Sequence, residues 1–421
     1  MPSAQVGLPV RFAIALAIAA FLGLGQTRAD DDTAKLRERA LALNNVTGND
    51  ALLGEIVALA KEPQSAKKLI KVAVKMAKEE QQPFNYNASL ILAEVARELK
   101  DVDTGKTFFR ICIDQAMELK SGSKLAQSYG GLIDTLYEAK KYDESEKVCQ
   151  EVLELPLGKE DDTIRRLKSL VIRRQIIVLA KGGKYDEATK LVDDIIKSNP
   201  GNWLQMELKA MVQREAGKFG DAAKTYETIL DLVEKDKELD DKERKEFISD
   251  YKYRLSGVYV DMEQVDKAAE QLRSLLSDDP DNPTYNNDLG YIMADHNMNL
   301  DESEKLIRKA IEEERKLQKK AQPDAKPEDI KDNAAYVDSL GWVLFKQKKY
   351  KEAKEYLLQA VKDKEGQHIE IFDHLGDAHL ALGEKTEAVA AWKKGLEVPS
   401  ETKREQQKKA EVEMKIKANQ P

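Results

Sequence analysis

The chain has 421 residues, a length that suits about two or three ordinary domains or one long repeat array. Its 68 Lys and Arg against 76 Asp and Glu give a formal charge of −8, and 42% of its residues are hydrophobic, which excludes wholesale disorder. Only 22 Gly and 12 Pro are available for turns, which argues against a β-rich fold, and the acidic balance lacks the basic stripe a nucleic-acid partner would need.

The first element in chain order reads as a processing segment. Arg11 precedes an apolar run over residues 12–25, too short to span a bilayer, which takes about 20 apolar residues. Gln26-Thr27-Arg28-Ala29 follows, then Asp30-Asp31-Asp32. A charged start, a short apolar stretch and a small residue before an acidic start describe a secretory signal peptide, residues 1–29, cut after Ala29. An uncleaved N-terminal anchor is the alternative. Cleavage removes Arg11 and Arg28 and takes the formal charge from −8 to −10. No cysteine lies near the cut to carry a lipid, and no later run is apolar and long enough for a transmembrane helix. The mature chain is therefore expected to be exported, periplasmic or secreted.

The rest of the chain repeats. Ser256, Gly290, Gly341 and Gly376 are spaced by 34, 51 and 35 residues. Twelve residues after three of them stand Ala268, Ala353 and Ala388, and Ser303 follows Gly290 displaced by one. The offset continues upstream in Ala93 and Gly105, Ile133 and Ser145, Ile176 and Ala188, and Ala210 and Ala222. An aromatic precedes the second small residue in Tyr142, Tyr185, Phe219 and Tyr350. Residues 34–80 read as one further degenerate hairpin.

One unit shows the physics. Ala353, Tyr356, Leu357, Ala360 and Val361 fall on one helical face, as do Tyr336, Leu340, Val343 and Leu344 before them. The polar turn Lys346-Gln347-Lys348-Lys349 separates the two stripes, and small residues at Gly341 and Ala353 allow a close approach. Such a hairpin cannot bury its own stripe, so it must stack on its neighbours. Pro200 and Pro280 fall where second helices should end, with Asn202 and Asn282 in the links that follow. Insertions interrupt the pattern. Residues 231–245 are expected to lengthen the flanking helices, and residues 316–331, with Pro323 and Pro327, must be partly loop. Residues 400–418 read as a polar helix capping the last repeat, with a disordered tail as the alternative.

The 34-residue period, its small-residue columns and its terminal prolines resemble the tetratricopeptide repeat. Asp338-Ser339-Leu340-Gly341-Trp342 with Tyr350-Lys351-Glu352-Ala353, and Lys184-Tyr185-Asp186-Glu187-Ala188, carry the resemblance. It divides the chain into a signal peptide (1–29), degenerate helical hairpins (30–123), repeats with insertions (124–248), well-matched repeats (249–398) and a capping helix or tail (399–421). The resemblance implies an all-α solenoid of about eight stacked helix-turn-helix hairpins forming a superhelix. Its groove would bind a peptide or a partner protein. The chain departs from the family in its insertions and in lacking Trp near the start of most first helices.

Chemistry is sparse. No phosphate-binding loop, zinc-protease helix or nucleophile elbow appears, and Gly130-Gly131 lies inside a helical repeat. Two cysteines, Cys112 and Cys149, cannot form a disulfide framework or a four-thiolate zinc site; they read as buried hydrophobes that would pair only if brought close. The four histidines, His296, His368, His374 and His379, leave little room for a metal centre, so no cofactor, no metal and no enzyme activity are expected. Asp373, His374, Asp377 and His379 are the densest polar cluster, and a metal-dependent activity there is the minor alternative to structural or groove-lining roles. Another is an architectural subunit of a cell-envelope assembly.

The resemblance also implies which first-helix positions face the groove. In the last four repeats these are Tyr253, Asn287, Asp338 and Asp373, then Gly257, Tyr291, Trp342 and Asp377, with Phe345 beyond. Tyr291, Trp342 and Phe345 are expected as apolar anchors beside Asp338, Asp373 and Asp377, which favour Lys or Arg on the partner. On this reading Trp342→Ala weakens binding and leaves stability unchanged. Family members that grip a terminal carboxylate place Asn where this chain has Gly257, Tyr291, Trp342 and Asp377, so no such clamp is expected.

Overall fold

The computed structural model describes residues 29–156, 162–326, 330–399 and 403–419. Residues 1–28 of the expected signal peptide, and Pro327, lie outside them. The described residues form helices joined by short turns, with no strand among them. They fall into two compact units, one ending at Gly217 and the other beginning at Lys218.

In the first unit, α1 (Ala29–Ala42), α2 (Asn49–Ala60) and α3 (Pro63–Lys78) precede the hairpins. These are α4 (Tyr86–Glu98) with α5 (Val102–Glu118), α6 (Gly122–Glu138) with α7 (Tyr142–Glu154), and α8 (Asp162–Lys181) with α9 (Tyr185–Ser198); α10 (Trp203–Glu215) closes the unit. One apolar cluster runs from Ala40 through Leu69, Ile91, Phe108 and Leu132 to Val171. The weakly matching N-terminal third is thus built into the same core. The expected break at residues 123/124 reflects how well the repeat pattern is kept, not a gap in packing. Cys112 and Cys149 are both buried in this unit and free, as the hydrophobe reading holds. Burial pushes both thiols up, Cys149 to about 12, which keeps them protonated and inert.

The second unit opens with α11 (Phe219–Lys235) and α12 (Asp241–Asp261), then α13 (Val265–Asp278), α14 (Pro283–Asp295), α15 (Leu300–Ala321), α16 (Ala334–Lys346), α17 (Tyr350–Ala360), α18 (Ile369–Ala381), α19 (Lys385–Glu397) and α20 (Lys403–Asn419). The insertion over 231–245 lengthens α11 and α12 about a five-residue link, and a capping box between Asp240 and Glu243 starts α12. Because α12 runs unbroken through residues 248 and 249, no packing boundary falls there. The other insertion extends α15 to Ala321 before the loop containing Pro323.

Local chemistry sets the ends of these helices. α9 stops at Ser198 and α13 at Asp278, just ahead of Pro200 and Pro280. Asn202, Asn282 and Asn333 then accept backbone N–H bonds from Leu204, Tyr285 and Ala335 at 3.1, 3.1 and 2.9 Å, capping α10, α14 and α16. Between the helices of several hairpins the chain reverses through a left-handed residue. In the α16–α17 turn this is Lys348 (φ 64°), where Lys348 N–H donates to the Phe345 carbonyl and Lys349 N–H to that of Leu344, at 2.8 and 2.9 Å. Gly383 occupies the same place in the α18–α19 turn.

The small-residue columns are contact points. A Cβ on Gly341 would stand 2.7 Å from Leu357 Cγ and 3.2 Å from the Ala353 carbonyl oxygen. A Cβ on Gly376 would overlap the indole of Trp392, which is fully buried and donates from Nε1 to the Asp373 carbonyl at 3.3 Å. Neither the ring nor the backbone it bonds can retreat. Gly376→Ala is therefore expected to lower stability by about 1–3 kcal/mol; urea unfolding of the full chain checks this, and a loss under about 0.5 kcal/mol contradicts it.

Candidate partner-binding face

In the second unit, the first helices of successive hairpins touch directly, α14 with α16 and α16 with α18. Side chains from α12 reach α14: the Tyr253 hydroxyl donates to Asp288 Oδ2 at 2.7 Å, and its ring lies 5.5 Å from that of Tyr285. Burial, then the Asp288 carboxylate, raises the Tyr253 hydroxyl, and burial also raises Asp288 against the pull of Tyr253 and Asn287. Asn287 is buried; its amide donates to Asp288 Oδ1 at 3.2 Å and its own Oδ1 has no partner. Beside this group lies an open groove of about 510 Å³ lined by Tyr253, Tyr285, Leu275, the acids Glu246, Asp250, Asp278 and Asp279, and the rim lysines Lys242 and Lys245.

Further along, rings stack across three helices. His374 of α18 lies on Trp342 of α16, ring centroids 4.0 Å apart and 14° from parallel, and Trp342 stacks on Phe345 at 5.0 Å and 4°. Tyr291 of α14 flanks His374 at 6.4 Å. The Trp342 indole donates from Nε1 to Asp295 Oδ1 at 3.0 Å, and Lys346 Nζ sits 4.7 Å from the indole centroid. His374 Nδ1 lies 2.9 Å from Asp338 Oδ1, both residues being buried. Burial presses the His374 imidazole down, but the Asp338 charge and hydrogen bond, with Asp373 and Glu370, carry it above its usual value. Burial raises the Tyr291 hydroxyl too.

The last two expected groove acids face the chain's own terminal helix. Lys415 of α20 donates to Asp373 Oδ1 at 2.6 Å and to both Asp377 oxygens at 2.8 Å, and Lys408 lies 3.5 Å from Asp373 Oδ2. Burial and the neighbouring Asp373 charge raise the Asp377 carboxyl despite Lys415.

The structure thus brings the expected residues onto one set of helices and corrects their exposure. Tyr253, Tyr291 and Phe345 are half-buried and reachable. Trp342 is 8% exposed, with His374 of the next hairpin and Phe345 both stacked nearly parallel to its ring; it is a packing residue, not an accessible anchor. Asp338, Asp373 and Asp377 are engaged by His374 and Lys415, not open to a partner. The metal alternative meets a similar obstacle. Asp373 and Asp377 turn to Lys415, His374 to Asp338, and His379 to Glu384 at 2.6 Å, and among the described residues no three such groups converge. Sequence reasoning missed Asp295, Lys346 and Lys415. Each acts on a helix 38–51 residues away, and no local pattern marks such a contact.

Two outcomes follow. Trp342→Ala removes a buried ring stacked with His374 and Phe345 and is expected to cost about 3–5 kcal/mol in urea unfolding, with retained stability showing the stack to be dispensable. Because folding raises the His374 pKa, His374 contributes stability at pH below its unfolded value, near about 6.5, and that contribution fades as pH rises through the folded value. The melting-temperature gap between the natural chain and Asp338→Asn should therefore be widest near about pH 5.5 and narrow towards about pH 9. A gap constant with pH contradicts the assignment.

Sequence comparisons agree with the hairpin architecture. The tetratricopeptide repeat family matches residues 173–237 and 253–321, and again residues 334–365. The TPR repeat-containing protein PA4667 of Pseudomonas aeruginosa is 28% identical over 214 residues, 48% of this chain; the match spans only 30% of that relative's length. Among solved structures, a tetratricopeptide repeat protein from Parabacteroides merdae is 14% identical with a TM-score of 0.44, covering 72% of this chain and 98% of its own. A human IFIT1 dimer with PPP-AAAA is also 14% identical, with a TM-score of 0.43, covering 93% of this chain and 86% of its own. Residues 173–237, 253–321 and 334–365 are thus similar in sequence to the tetratricopeptide repeat family.

Proposed function

We propose that the protein is a non-enzymatic scaffold that binds a protein or peptide partner on the first-helix face of its second unit, in an exported compartment. The groove between α12, α13 and α14 is the observation that supports it most. Tyr253, Tyr285 and Leu275 offer an apolar floor, and four acids stand against two lysines around it. That lining suits a segment with an apolar side chain next to Lys or Arg. The aromatic floor supplies the anchoring area, and the acids supply approach rate and selectivity. Stacked hairpins present the groove ready-formed, so association orders little of the scaffold. No described helix is long and apolar enough to cross a membrane. Export rests on the charged, apolar and small-residue order of residues 1–29.

The test is affinity capture with the full chain from the soluble envelope fraction of the native host, repeated with Glu246→Lys combined with Asp278→Lys. Both residues are exposed, so stability should change by less than about 0.5 kcal/mol each. Recovery of the partner is expected to fall by about tenfold or more, a loss of at least about 1.4 kcal/mol. Undiminished recovery overturns the groove as the binding site. Sequencing the N-terminus of the purified mature protein tests export, with Asp30 expected as its first residue.

A further inference from the structure

The helix α20 is held by little apolar surface. Of residues 404–419 only Val412 and Ile416 are buried, whereas α18 buries nine of 13. Those two side chains join a cluster with Ile369, Ala388 and Trp392. Polar contacts accompany them: Lys415 on Asp373 and Asp377, Lys408 on Asp373 at 3.5 Å, Arg404 on Glu370 at 3.2 Å, and Glu405 with His368 at 3.0 Å. Meanwhile Met414 is 62% exposed on the opposite side. A helix attached by so little apolar surface sits at the low end of local stability.

The surface beneath it makes a specific demand. With α20 docked Asp373 is 2% exposed, and among the described residues the side-chain hydrogen-bond partners of the Asp373 and Asp377 carboxylates belong to α20. A substitute that covers Asp373 again without a cation would leave a nearly buried carboxylate unpaired, an arrangement that is strongly unfavourable. Whatever docks in place of α20 must therefore bring an ammonium or guanidinium between two apolar contacts. Val412, Lys415 and Ile416 supply this at i, i+3 and i+4, one face of a helix.

We propose that α20 is a resident occupant of a helix-docking cleft formed by α18 and α19, and that it yields to a partner helix presenting an apolar residue, a lysine and an apolar residue at the same spacing. This surface is separate from the α12–α14 groove, so either assignment can fail without the other. Lys415 is the latch. Its ammonium meets the Asp373 and Asp377 carboxylates only when α20 is docked, where Nζ also lies 5.9 Å from the Trp392 ring centroid.

Hydrogen exchange on the full chain, compared with Lys415→Met and Lys415→Arg, tests the latch. Lys415→Met keeps the stem and removes the charge. Exchange in residues 403–419 is expected to rise about tenfold in Lys415→Met, while α16 and α17 stay unchanged and Lys415→Arg stays close to the natural chain. A fluorescent peptide of residues 403–419 is then titrated onto each full-length protein. Binding to Lys415→Met should be about tenfold tighter than to the natural chain, because its internal competitor is weaker, and a peptide with Met at the lysine position should not bind. Three outcomes overturn the proposal: exchange of α20 as slow as that of α18 in both proteins, which makes it a fixed cap; opened exchange with no peptide binding; or concentration-dependent dimers of Lys415→Met, which assign the cleft to α20 of a second copy.

Discussion

The α16–α17 and α18–α19 hairpins each depend on one position where the approach of the second helix leaves no room for a side chain. At Gly341 the opposing carbonyl of Ala353 lies 3.2 Å from where a Cβ would stand, and at Gly376 the indole of Trp392 fills that space. Contact this close lets the flanking residues, Leu340 with Leu357 and Leu375 with Ala391, lose nearly all their water. Burial of each large side chain contributes about 1.5–3 kcal/mol, but only once the next hairpin covers it. The apolar clusters accordingly draw their members from consecutive hairpins. Cohesion passes from neighbour to neighbour, as expected of a repeat array.

The same logic governs the face carrying polar and aromatic side chains. A first-helix residue there is surrounded by what the hairpins on either side present. Trp342 illustrates it: its partners Asp295 and His374 arrive from the preceding and following first helices. The result is a stacked and ion-paired seam that stiffens α14, α16 and α18, while the open groove lies nearer the start of the unit, at Tyr253 and Tyr285.

Much of this was legible in the sequence, for identifiable reasons. The twelve-residue offset between small residues is a local property of one hairpin, so it identified the contacts later seen at Gly341 and Gly376. The asparagines after Pro200 and Pro280 are local too, and they cap the helices that follow. Exposure was not legible. Whether Trp342 is an anchor or a packing residue depends on His374, 32 positions downstream, and whether Asp373 is free depends on Lys415, 42 positions downstream. A position in a repeat fixes the direction a side chain points; the neighbours decide whether anything can reach it.

The turns hold a last consequence. Among the described residues eight that are not glycine adopt positive φ, and Lys100, Lys140 and Lys348 do so at the bend where Gly183 and Gly383 serve other hairpins. A left-handed lysine holds its Cβ against the following carbonyl, at about 1–2 kcal/mol, which glycine avoids. The array therefore carries slack at several joints, none of them a residue lining the α12–α14 groove. A tougher scaffold is within reach of single substitutions that leave every binding surface as it is.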